Sequence, residues 1–152
     1  QIRVRARALT STTVIHGESM KITRFCATDD GGSRFEDLEI TLANEREDGM
    51  GHTISFSTPF SSPNVSLVTL PAGLDQDWHG APERQLVFVL QGCVEVETTD
   101  GNKRRWHKGQ FFLADDTSGQ GHQTRTINGP ALVLFNPVSA EFAVERWTQA
   151  VE

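Results

Sequence analysis

Apolar, β-branched and aromatic residues recur at every second position in short runs along this chain, and Gly, Pro, Asn or Asp breaks the runs every eight to twelve residues. Period two is the spacing of side chains on one face of a β-strand, so the pattern restricts the chain to many short strands. The predicted strands are Ile2–Ala8, Lys21–Ala27, Leu38–Leu42, Thr53–Ser57, Val65–Leu70, His79–Gln91, Val94–Thr98, Lys103–Trp106, Gln110–Ala114, His122–Ile127 and Ala131–Asn136. Turns are expected at Asp29-Asp30-Gly31-Gly32, Asp100-Gly101-Asn102, Lys108-Gly109 and Asn128-Gly129, because Asp-Gly and Asn-Gly tolerate the positive φ of tight hairpins. Helical spacing is not sustained anywhere. Its best candidate is Ala140–Ala150, a short amphipathic C-terminal helix carrying Phe142, Glu145, Arg146 and Trp147 and capped by Ser139.

Short strands without helices leave a sandwich or a closed barrel. Closure is favoured, since it removes the apolar edges that a strand such as Leu86–Leu90 would otherwise expose. The chain's 152 residues suit one domain, and nine Phe and three Trp supply large units for one core. Residues 1–19 read as an N-terminal extension or edge strand, and residues 20–152 as a single barrel.

A formal net charge of −6 argues against nucleic acid, which calls for a clustered basic face. Residues 1–19 carry only Arg3, Arg5, Arg7 and Glu18, so the remainder holds 11 basic and 19 acidic residues, a balance of −8. That scattered acidity reads as a solubility feature rather than a cation site. Cys26 and Cys93 fall on separate predicted strands and read as reduced packing thiols of a cytoplasmic protein. No apolar run approaches the roughly 20 residues that span a bilayer, so no membrane partner is expected. The Arg-, Ser- and Thr-rich start is also compatible with an organelle transit segment. The alternation of Ile2, Val4, Ala6 and Ala8 with arginines favours the edge strand.

Two segments carry the chemistry. The first runs His79-Gly80-Ala81-Pro82-Glu83-Arg84-Gln85 and continues to Gly92; the second runs from Gly109 through Asp115–Gly121 to His122. From His79, every second residue is Ala81, Glu83, Gln85, Val87 and Val89, which places His79 and Gln85 on one face with two valines. Pro82 can disturb that phase, so Glu83 is expected either in the cavity or on its rim.

These residues resemble the motifs of the cupin superfamily. The first motif of that family has His-x-His, a Glu, and a Gly seven residues beyond it; here the positions read His79-x-Ala81, Gln85 and Gly92. The second has Gly, five residues, Pro-x-Gly, two residues and His; here Gly109, Gln110–Ala114, a variant turn and His122 correspond. The resemblance covers roughly residues 60–137. It implies an all-β jelly-roll barrel with the site inside, to which the helical spacing of Ala140–Ala150 adds the short C-terminal helix. Ala81 stands in place of one motif histidine and Gln85 in place of the glutamate, so only His79, Gln85 and His122 carry over.

Two imidazoles and an amide oxygen are a possible ligand set for a divalent Zn, Mn, Ni or Fe ion, and as a neutral set it would suit an anionic substrate. Without metal, His79 or His122 would shuttle protons near neutral pH, Gln85 would donate to a carbonyl or enolate oxygen, and a desolvated Glu83 would serve as a second acid or base. The favoured function is non-redox chemistry of the lyase, dehydratase, isomerase or cyclase type. Its substrate would be a compact carbonyl- or hydroxyl-bearing compound, aromatic or polyketide-like given the Phe content. A metal-dependent dioxygenase and a non-catalytic ligand-binding barrel are the alternatives. The expected assembly is a homodimer paired through N-terminal strands or a sheet face. His16, His52 and His107 read as solvated, Arg84, Arg125 and Cys93 as facing away from the site, and Asp115 and Asp116 as satisfying backbone N–H groups of a turn.

Overall fold

The computed structural model describes residues 13–15, 19–139, 144 and 148–150. They form thirteen strands: β1 (Thr13–Ile15), β2 (Ser19–Ala27), β3 (Ser33–Thr41), β4 (Asn44–Glu47), β5 (Thr53–Phe56), β6 (Ser66–Leu70), β7 (Gln85–Gln91), β8 (Cys93–Glu97), β9 (Lys103–His107), β10 (Phe111–Asp115), β11 (Gln123–Thr126), β12 (Ala131–Pro137) and β13 (Thr148–Ala150). An eight-stranded sheet runs β13-β3-β2-β10-β7-β12-β6, with β1 against β2, and faces a three-stranded sheet β11-β8-β9; β4 and β5 form a separate hairpin. The β10–β2 pair is parallel and every other pair is antiparallel. This is the expected all-β barrel.

Alternation builds its two apolar layers. On β7, Val87 and Val89 point between the sheets while Leu86 and Phe88 point outward; on β10, Phe112 and Ala114 go in and Phe111 and Leu113 go out. The inner layer joins these residues to Phe25, Val94, Val96, Trp106 and Val133, and the outer layer adds Ile22, Leu38, Ile40 and Val144. Burial on both faces is why Leu86–Leu90 reads as a nearly continuous apolar run. The turn after β7 requires glycine: Gly92 has φ +81°, and a Cβ there would sit 2.4 Å from the Pro130 carbonyl oxygen.

Two expectations are corrected, and one strand appears that the alternation does not predict. His79 does not open one long strand to Gln91, because β7 begins at Gln85; Pro82, lacking an N–H, falls in the irregular segment before it. The predicted C-terminal helix does not reach Ala150, since Thr148–Ala150 is a strand paired with β3; residues 140–143 and 145–147 lie outside the described residues. The charged strand β4, Asn-Glu-Arg-Glu, has no apolar alternation and forms by pairing with β5. The N-terminal strand expected at Ile2–Ala8 lies outside the described residues. Among the described residues, no helix is long and apolar enough to cross a membrane.

Candidate active site

His79 and His122 lie on two segments that meet edge to edge. Their backbones form an isolated antiparallel bridge, His79 N–H donating to the His122 carbonyl at 3.0 Å and His122 N–H to the His79 carbonyl at 2.9 Å. The same alignment continues along β11, where Gln76 N–H donates to the Thr124 carbonyl and Thr126 N–H to the Leu74 carbonyl. The bridge sets the imidazole rings 4.5 Å apart, with the Phe25 ring 4.6 Å from His122. Gly121 makes this approach possible. Its φ is +83°, and a Cβ on it would lie 2.0 Å from the His79 carbonyl oxygen.

Each imidazole is oriented through Nδ1. In His79, Nδ1 lies 2.7 Å from the Asp77 carbonyl oxygen, which only accepts, so Nδ1 carries the proton. In His122, Nδ1 lies 2.5 Å from Oδ2 of Asp116, and the fully buried carboxylate likewise accepts. Both rings are therefore left with Nε2 as the nitrogen that can take a proton or bind a ligand. The other oxygen of Asp116, Oδ1, accepts from Ala81 N–H at 3.3 Å, which ties the two motif segments together. Asp116, which in sequence reads as turn chemistry, is the carboxylate that orients His122. Its signal was weak: a carboxylate six residues before the motif histidine looks like any turn aspartate.

His79, Gln85 and His122 line one cavity of about 320 Å³ between the sheets, together with Ala81, Phe25, Val87, Phe112, Val133 and Phe135. Glu83 is not among them. It is exposed and lines a separate outer groove with Arg84, Asp115 and Ser139. The break at Pro82 removes it from the phase of β7, so the expected second acid or base does not reach the cavity. Arg84 donates to Asp115 on that outer side, and Arg125 donates to Asp75, Glu95 and Glu97, as the alternation predicts. Cys93 is buried away from the cavity, with Sγ 3.9 Å from His107 Nε2. His52 and His107 are exposed, and His16 lies outside the described residues.

To a divalent metal this cavity would offer two imidazole nitrogens and the neutral amide oxygen of Gln85, a set without a carboxylate. Catalytic zinc sites use three protein ligands, and mononuclear iron sites commonly use two histidines and a carboxylate. Here the third donor is the neutral amide of Gln85, and the nearby carboxylate of Asp116 is turned to His122 Nδ1. Among the described residues, no group of three or more His, Cys, Asp or Glu side chains is arranged to hold a metal.

No family model matches the chain. It is 35% identical over 81 residues to dimethylsulfoniopropionate lyase DddQ of Ruegeria pomeroyi, covering 51% of this chain and 39% of that protein. The chain thus spans well under half the length of that curated relative. Among solved structures, it is similar to a Cupin 2 conserved barrel domain protein from Leptotrichia buccalis, at 18% identity and TM-score 0.42 over 81% of this chain and 74% of that one. A Cupin 2 conserved barrel domain protein from Salinispora arenicola is similar at 17% identity and TM-score 0.42, over 72% and 82% of the two chains.

Proposed function

We propose that this all-β barrel, whose motifs resemble those of the cupin superfamily, is a small-molecule enzyme performing metal-free acid–base chemistry next to a carbonyl group. The observation that carries this reading is that His79, His122 and Gln85 line one cavity, with His122 backed by buried Asp116. One imidazole Nε2 takes a proton from the carbon beside the carbonyl. The Gln85 amide N–H donates to the oxygen as negative charge develops there. The second imidazole, entering the step protonated at Nε2, delivers that proton to carbon, or to a leaving hydroxyl, in isomerisation or elimination, and the first ring gives up the abstracted proton to water afterwards. Asp116 holds His122 in the tautomer with Nε2 free and balances the charge when that ring is protonated. Support from comparison is limited to the partial likeness to a lyase.

The test is proton exchange. A simple methyl ketone in D2O, followed by NMR, is expected to lose its α-proton signal faster with the protein than in buffer, with and without chelator. His79→Ala and His122→Ala should each slow the protein-dependent exchange by about 10²–10⁴-fold. No exchange above buffer with the wild-type protein refutes acid–base catalysis; exchange abolished by chelator refutes the metal-free form.

A further inference from the structure

Resting on that reading of the site, the cavity walls narrow what can enter. We infer that the substrate is an uncharged, compact ketone or hydroxy-ketone with an apolar body. The polar groups gather at one level of the barrel: Gln85 is the first residue of β7, paired with Ala114, which pairs in turn with Phe25 beside His122. Gln76 and Thr124 sit beyond the histidines on the same paired segments. The remaining wall, including Val87, Phe112, Phe135, Val133, Val68 and Leu70, is hydrocarbon.

No Lys, Arg, Asp or Glu lines the cavity among the described residues. The nearest charges are engaged elsewhere. Asp116 is held by His122 and Ala81, and balances any charge the His122 ring carries. Arg125 is bound to Asp75, Glu95 and Glu97, and Arg84 to Asp115 on the outer side. An ionised group entering this cavity would lose part of its hydration and meet no permanently charged side chain on the wall, which is unfavourable. A carbonyl or hydroxyl needs only the hydrogen bonds that the two histidines and Gln85 offer. A volume of about 320 Å³ lies near the lower end of ligand pockets and suits a single ring with a short substituent.

Calorimetric titration with three probes sharing one ring tests this class: acetophenone, benzoate and benzyltrimethylammonium, in neutral buffer. Acetophenone is expected to bind, and both ions to bind at least about tenfold more weakly, a difference of about 1.4 kcal/mol. Benzoate or the ammonium binding as tightly as acetophenone overturns the inference, and so does no acetophenone binding up to its solubility. Val68→Lys, on edge strand β6, should shift the preference toward benzoate, and an unchanged preference in the folded variant counts against the inference. Deuterium exchange on bound acetophenone reads the catalytic proposal separately. Selective binding without exchange leaves the substrate class standing and removes the catalysis, whereas exchange on 4-acetylbenzoate but not acetophenone does the reverse.

Discussion

Replacing Gly121 by Ala should separate the two histidines. A Cβ at this position would lie 2.0 Å from the His79 carbonyl oxygen and 2.3 Å from its carbon, where real contacts stay above 3.0 Å. The two segments must therefore move apart by about 1 Å or more. Both obstructing atoms are backbone, so a side-chain rotation cannot relieve the clash. The left-handed conformation at φ +83° costs a non-glycine residue about 1–2 kcal/mol. Losing the two bridge hydrogen bonds costs about 0.5–1.5 kcal/mol each. The expected destabilisation is about 2–5 kcal/mol, which for a domain of this size lowers the melting temperature by roughly 4–20 °C. Gly101→Ala is the control, because Gly101 has φ +85° with nothing within 4 Å, so it should lose only the conformational part. Denaturant unfolding of both variants isolates the clash as their difference. Displacing reacting groups by about 1 Å should also reduce proton exchange about 10²-fold in G121A, with G101A unaffected. Equal stability losses in the two variants would show that the histidine segments are not in contact, and the site argument would fall with them.

Asp116→Asn should lower proton exchange by about 10²-fold or more while leaving binding of acetophenone nearly unchanged, because it alters the His122 tautomer rather than the cavity wall. Proton NMR of the His122 Nδ1–H should change in the variant, and an unaltered resonance would contradict that hydrogen bond. Burial pushes the Cys93 thiol up from its ordinary range. Iodoacetamide should therefore label Cys93 at least about tenfold more slowly in native protein than in urea, as read by peptide mass spectrometry. For Asp100, burial raises the carboxyl, but bonds from the Thr98 hydroxyl and Asn102 outweigh it and hold the group below the usual carboxylate range. A lowered folded value means stability present above the unfolded value and lost as pH falls through the folded one. The wild-type protein should accordingly lose more stability than Asp100→Asn on acidification below about pH 4, measured by urea unfolding; parallel curves would refute it.

Ten of the eleven strands expected from the alternation lie within the described residues, and all ten appear with boundaries shifted by a few residues, except that the segment before Gln85 is not strand. Side-chain alternation is a local property, written in the chain before any contact is made. The same local rule set Gln85 on the face of Val87 and Val89 and sent Arg84, Arg125 and Cys93 away from it, whereas His79 and His122 were legible through the motif resemblance; the structure places all three site residues on one cavity. What alternation does not carry is partnership between distant segments. Asp116 became the support of His122 because the fold buries it beside that ring, and Glu83 left the cavity because Pro82 precedes a strand that begins late. Strand β4 has no apolar pattern and exists through its pairing with β5, as Thr148–Ala150 does through β3. The amino-acid order thus determined which residues share a face. Only three-dimensional packing decided which faces meet, because burial and hydrogen-bond partners come from atoms far away along the chain.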